Sequence, residues 1–156
     1  MDSSQVHLAF NHFPIAGVFF SLLFFGAAII TQKENLKAPT VFLVLISGLL
    51  LLPVFYSGEG VERIVKRKPF ISRYHIHEHE ESAEKTMVVM MVATAMAGGW
   101  LVMKKMNKKY TNELFYLIFI MNFVTAWSVA NTAHEGGMIR HDQIRHGEGS
   151  HLELMD

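Results

Sequence analysis

The chain has 156 residues, of which 51% are hydrophobic and only 18% charged, and its formal net charge at pH 7 is zero. A chain of this length is expected to form a single domain, residues 1–156. It contains no cysteine, which excludes disulfides, thiolate-ligated iron–sulfur clusters, thiolate-ligated haem and cysteine zinc sites. Any bound metal must therefore be held by nitrogen, oxygen or thioether ligands.

The apolar residues fall into four blocks with few or no charges, residues 13–30, 40–57, 83–103 and 113–133. Each block is long enough to cross the ~30 Å hydrocarbon core of a bilayer as a helix, because an α-helix rises about 1.5 Å per residue. Residues 1–11 contain no lysine or arginine, which favours a retained first helix over a signal peptide. The sequence therefore predicts an all-α integral membrane four-helix bundle, embedded in the lipid bilayer.

The connections between the blocks predict the topology. Two of them are short, which indicates two antiparallel hairpins. The longer, middle connection begins with Ser57-Gly58-Glu59-Gly60, which is typical of a turn. The apolar residues that follow it at helical spacing, Val61, Ile64 and Val65, predict a short amphipathic helix on the membrane surface between helices 2 and 3.

If the chain crosses the membrane four times, all nine histidines are predicted to lie on one side of the membrane. They are His7, His12, His75, His77, His79, His134, His141, His146 and His151. The two hairpin loops lie on the other side and are rich in lysine, namely Lys33, Lys37, Lys104, Lys105, Lys108 and Lys109. Because basic residues in short loops hold a membrane face in the cytoplasm, we predict a bacterial inner-membrane protein whose histidines and two termini are periplasmic.

The histidine side carries candidate metal ligands at the helix ends, since imidazole is the commonest protein metal ligand. His75 and His79 share one helix face if the third helix begins before His75. His12 lies at the start of the first helix, after Asn11, which is predicted to cap it. His134 lies at the end of the fourth helix, and all of these rings are predicted to be able to turn inward.

The fourth block contains a polar stripe, whose members are spaced at three and four residues and are predicted to face inward. They are Asn122, Thr125, Ser128 and Thr132. Beyond them, Gly136-Gly137 is predicted to break the helix and fold the chain back, which would place Arg140 and His141 over the bundle. Residues 146–156 are predicted to be a mobile tail.

Four motifs together resemble an uncharacterised family of small bacterial four-helix membrane proteins, common among Bacteroidota. The motifs are Asn11-His12-Phe13-Pro14-Ile15, Gly58-Glu59-Gly60, Glu78-His79-Glu80-Glu81 and Gly136-Gly137-Met138-Ile139-Arg140-His141. The resemblance implies the fold and a set of recurring histidines that match His12, His79 and His141, with His7 often matched. It implies no established activity, and His134 falls where the family commonly has another residue.

The leading functional hypothesis is a b-type cytochrome-like electron-transfer subunit. Two imidazoles from different helices can hold haem b in a bundle, and His12 and His79 are the predicted pair. His141 or His134 would supply a second pair or a hydrogen bond, and Arg140 could pair with a haem propionate. The partners would be quinol, a membrane redox complex or a periplasmic cytochrome, and a stand-alone enzyme is the less favoured prediction.

Two other hypotheses remain open. The first is a protein that binds zinc, copper or non-haem iron through glutamates and histidines, and the candidate ligands are His7, His12, His75, His79 and His141. The second is an accessory or scaffold subunit of a larger respiratory membrane complex. The sequence contains no serine-hydrolase, zinc-protease or P-loop motif, and nothing in it predicts nucleic-acid binding.

Overall fold

The computed structural model describes residue 7, residues 10–65 and residues 73–140, without the side chains of residues 59, 62–65 and 140. This part of the chain forms four α-helices: α1 (His12–Thr31), α2 (Glu34–Val65), α3 (Arg73–Lys105) and α4 (Thr111–Arg140). Each is long and apolar enough to cross a membrane. The prediction of an all-α membrane four-helix bundle is therefore confirmed, and each predicted apolar block lies within one helix.

The helices pack in chain order, and α1 closes the bundle against α4. Their outward faces are apolar: Leu23 is 68% exposed, Ile30 84% and Trp127 72%. A water-soluble protein rarely exposes so much contiguous apolar surface. Such faces suit the hydrocarbon of a bilayer, where the helix also satisfies its own backbone hydrogen bonds.

Small residues bring neighbouring helices close together. A Cβ atom added to Gly17 of α1 would lie 3.0 Å from the Cβ of Ser47 in α2. One added to Gly48 of α2 would lie 2.8 Å from the Cβ of Thr94 in α3. These close approaches are of the small-residue type common in membrane bundles.

The two ends of the bundle differ in chemistry. Near the lysine-rich loops the core is aromatic: the rings of Phe25 and Phe115 lie 4.9 Å apart, beside the buried Trp100. The indole nitrogen of Trp100 donates a hydrogen bond of 2.7 Å to the carbonyl of Thr111. This dry layer closes the lysine end of the bundle, whereas the opposite end carries the histidines.

Charged side chains join the two hairpins at the lysine end. Lys37 is buried and donates hydrogen bonds to Glu34 and to Asn112 Oδ1, the latter at 3.0 Å. The second carboxylate oxygen of Glu34 accepts from Lys104 at 3.1 Å. One glutamate thus links the start of α2 to the end of α3, and Lys37 links α2 to the start of α4.

The structure corrects three local predictions. Helix α2 continues through Ser57–Gly60 to Val65, so the predicted turn is wrong and residues 61–65 of the predicted surface helix are the end of α2. Helix α4 continues through Gly136-Gly137 to Arg140, so the predicted break is also wrong. Glycine lowers helix propensity by about 1 kcal/mol but does not forbid a helix, and tertiary contacts outweigh that cost here.

The third correction concerns Asn11. Its backbone is helical, with φ −60° and ψ −27°, and its side chain makes no capping hydrogen bond. Its N–H donates to the carbonyl of His7 at 2.9 Å, so helical structure begins before the predicted cap. His141 and the predicted tail, residues 146–156, lie outside the described residues.

Candidate functional site

His79 lies on the inner face of α3 and docks onto α4. The helix begins at Arg73, before His75, which meets the condition for His75 and His79 to share one face. The Nδ1 atom of His79 is 3.0 Å from the carbonyl oxygen of Thr132. Because a carbonyl oxygen can only accept, Nδ1 carries a proton, and in the neutral ring Nε2 keeps its lone pair.

His7 docks onto α2 in the same way. Its Nδ1 atom is 3.0 Å from the carbonyl oxygen of Val54, and the hydroxyl of Ser57 lies 3.4 Å from the same nitrogen. Nδ1 therefore again carries a proton, and in the neutral ring Nε2 keeps its lone pair. Two half-buried imidazoles, one from each hairpin, thus have the same tautomer.

A glycine faces each ring, four residues after the carbonyl that the ring binds. A Cβ atom on Gly136 would lie 3.1 Å from Cε1 of His79, and one on Gly58 would lie 3.5 Å from Cε1 of His7. Since carbon atoms normally pack at about 3.5–4.0 Å, the ring of His79 could not keep its position against any larger residue. Gly136 therefore serves as a docking surface for His79, whereas a Cβ atom at Gly58 would make an ordinary contact with His7.

The two docked rings belong to one end of the bundle. His7 docks near the end of α2 and His79 near the end of α4, the second helix of each hairpin. Glu135 precedes Gly136 in α4, as Ser57 precedes Gly58 in α2. In each hairpin, a polar residue is thus followed directly by a glycine, and a docked histidine ring lies beside that glycine.

The other predicted ligands lie elsewhere. His12 is exposed on the side of α1 opposite the buried Pro14 and Val18. His79 faces inward, so the structure does not bring the predicted pair of His12 and His79 together. His134 is also exposed, on the outward side of α4.

Three further candidates complete the predicted set. His75 is half-buried one turn before His79 on the same side of α3. The side chain of Arg140 and the whole of His141 lie outside the described residues.

Within the described ranges, no three His, Asp or Glu side chains come together to hold a metal ion. The docked imidazoles of the described residues are those of His7 and His79, each held by a helix carbonyl. The sequence predicted His7 as a ligand of a bare metal ion and through the family resemblance, but it did not predict that His7 docks onto α2. The two docking contacts join residues 47 and 53 positions apart, and the only sequence signal for them is the glycine near the end of each second helix.

A chain of hydroxyl groups lies beside His79. The Thr132 hydroxyl is 2.9 Å from that of Ser82 and 2.8 Å from that of Thr86, which is 2.6 Å from that of Ser128. These contacts confirm that the polar stripe of the fourth helix faces inward. They also tie α3 to α4 at the depth where His79 docks.

Comparisons with family models, with curated proteins and with solved structures find no match for this chain.

Proposed function

We propose that this protein is a membrane electron-transfer subunit that binds b-type haem through His7 and His79. The observation that carries the proposal is the paired docking of the two rings. Each donates its Nδ1 proton to a helix carbonyl, at 3.0 Å, and keeps Nε2 free. Bis-imidazole haem needs one such nitrogen on each face of the iron.

The number of ligands favours haem over a bare metal ion. A porphyrin supplies four nitrogens, so two imidazoles complete the coordination of its iron. Zinc sites take three or four protein ligands, and no group of three His, Asp or Glu occurs among residues 10–65 and 73–140 with residue 7. Zinc, copper and non-haem iron remain the alternative, with the same two histidines as ligands.

The chain's own residues would orient and tune the ligands. The carbonyls of Val54 and Thr132 hold each ring in one tautomer and raise the basicity of its free nitrogen, as hydrogen-bond partners of metal-bound histidines do. Gly136 leaves space for the ring of His79, which a larger residue would crowd. The bound haem would supply a one-electron carrier whose potential depends on these hydrogen bonds and on burial.

We place the histidine end at the periplasmic face of a bacterial inner membrane. Six lysines against two glutamates, Glu34 and Glu113, in and beside the hairpin loops favour a cytoplasmic lysine end. The proposed electron donor and acceptor are a membrane quinol or redox subunit and a periplasmic protein. Helix α4 ends at Arg140, which we retain as the proposed partner of a haem propionate.

Visible spectra of the purified protein, oxidised and then reduced with dithionite, test this function. The wild type is expected to show the sharp α and β bands of low-spin haem, and His7→Ala or His79→Ala should give a high-spin or haem-free protein. His77→Ala and His134→Ala are matched controls, because both side chains are exposed. They should leave the spectrum unchanged.

Two outcomes would change the assignment. Loss of the low-spin spectrum in His12→Ala, with His7→Ala unaffected, would restore the pair predicted from the sequence. A colourless wild-type protein that carries stoichiometric zinc or copper would replace haem by a metal ion at the same histidines.

A further inference from the structure

The polar stripe of α4 continues below the hydroxyl chain into the middle of the bundle. Thr125 is 1% exposed and Asn122 is fully buried. They follow Ser128 and Thr132 on the inner face of the helix at steps of three to four residues. Polar side chains at this depth of a membrane protein are costly and commonly functional.

Asn122 has one oxygen that the protein does not satisfy. Its Nδ2 donates to the hydroxyl of Ser21 at 2.8 Å and to the carbonyl of Val18 at 3.3 Å. Its Oδ1 is buried and accepts no hydrogen bond from any described group. Leaving such an acceptor unpaired costs about 1–3 kcal/mol, and buried polar atoms of this kind normally bind ordered water.

The neighbouring hydroxyls present lone pairs and no spare protons. Thr125 donates its proton to the carbonyl of Met121 at 2.9 Å, and Ser21 donates its own to Val18 at 2.7 Å. The oxygens around Asn122 can thus only accept further hydrogen bonds, so a group that binds to them must donate hydrogen bonds. A water molecule provides two donors and still accepts from others.

We propose that water molecules bound between Ser128, Thr125 and Asn122 extend the hydroxyl chain from the histidine end to the middle of the bundle. Three residues of α-helix rise about 4.5 Å, and two oxygens that each lie about 2.8 Å from one bridging water are at most about 5.6 Å apart. One water can therefore span each step. The result is a hydrogen-bonded water path from the histidine end to the middle of the bundle.

The path stops at Asn122. The next residues on the inner face of α4, Ile118 and Phe115, are fully buried and pack against Phe25 and Trp100. This apolar layer offers no hydrogen bond to a water molecule. Water therefore reaches the centre of the bundle from the histidine end only, and this holds whether or not the two histidines bind haem.

Solid-state NMR of the labelled protein in lipid bilayers tests the path through two readouts. These are magnetisation transfer from water to the side chain of Asn122, and exchange of its amide protons in D₂O. Both are expected at Asn122 and not at the ring of Phe115. Thr125→Val removes the intermediate hydroxyl with little change of shape, and it should reduce transfer at Asn122 to the level of Phe115.

Thr31→Val is the matched control, because Thr31 makes the same hydrogen bond to the carbonyl four residues earlier at the opposite end of the bundle. It should leave transfer at Asn122 unchanged. If Asn122 in the unaltered protein receives no more magnetisation than Phe115, the path does not exist. Unchanged transfer in a folded Thr125→Val protein would equally overturn it.

Discussion

If His79 binds haem as proposed, Gly136→Ala should weaken that binding without unfolding the protein. The new Cβ atom would lie 3.1 Å from Cε1 and 3.3 Å from Nδ1 of His79, against an ordinary contact of about 3.5–4.0 Å. The ring must therefore withdraw by about 0.4 Å, which stretches its 3.0 Å hydrogen bond to Thr132 to about 3.4 Å, close to the limit of such bonds.

Gly136→Ala changes the free energy of unfolding in two ways that have opposite signs. Losing the hydrogen bond costs about 1 kcal/mol, whereas alanine in place of glycine stabilises a helix by about 1 kcal/mol. The stability of the Gly136→Ala protein should therefore stay within about 1 kcal/mol of wild type. Its haem affinity should fall about 10–100-fold, the usual effect of disturbing the partner of a metal-bound histidine.

Gly137→Ala is the adjacent control, because a Cβ atom there meets nothing within 4 Å. Haem content is measured from the reduced-minus-oxidised spectrum after dilution and washing, and stability from thermal unfolding in detergent. Equal haem retention in the two variants would refute the idea that the glycine docks the His79 ring. Loss of haem in both would point to α4 as a whole rather than to this contact.

Three further predictions follow from the packing, the exposure of side chains and the charges. Gly48→Ala should destabilise the bundle by about 1–3 kcal/mol in thermal unfolding, because its Cβ atom would collide with a threonine of α3. Gly99→Ala is the control and should not destabilise it, because a Cβ atom there meets open space. Equal stabilities of the two variants would contradict the packing. In single-tryptophan variants, brominated lipids should quench Trp127, which is 72% exposed, and not Trp100, which is 1% exposed; similar quenching of both would contradict the membrane-facing assignment. A reporter fused after Asp156 should be active in the periplasm, and a cytoplasmic signal would invert the proposed orientation.

Much of the fold follows from local features of the sequence. The four apolar blocks predict four membrane helices, because a helix in lipid needs only enough apolar length and no partner to satisfy its backbone. The stripe from Asn122 to Thr132 predicts an inward face in α4, because its spacing alone places these side chains on one side. Contacts with α1 and α3 then confirm that face.

The glycine motifs show where local reasoning fails. Read by propensity, Gly58 and Gly136-Gly137 end helices, and a turn and a reversal were predicted there. Propensity contributes about 1 kcal/mol per glycine, which packing in the bundle outweighs. In the folded chain Gly58 lies beside the His7 ring and Gly136 beside the His79 ring, and at Gly136 the absence of a side chain makes that contact possible.

From block length and loop order, which need no knowledge of packing, the sequence predicts a membrane helix bundle, and the described histidines do lie toward one end of it. It did not determine which histidines face the core. His7 and His12 are five residues apart, about 140° around a helix, so only one of them can face the core. The choice depends on how α1 is rotated against α2 and α4, and therefore on contacts such as Gly17 with Ser47 and Ser21 with Asn122. Those contacts turn His7 inward onto Val54 and leave His12 on the outside, because a helix can bury only the face that its neighbours cover.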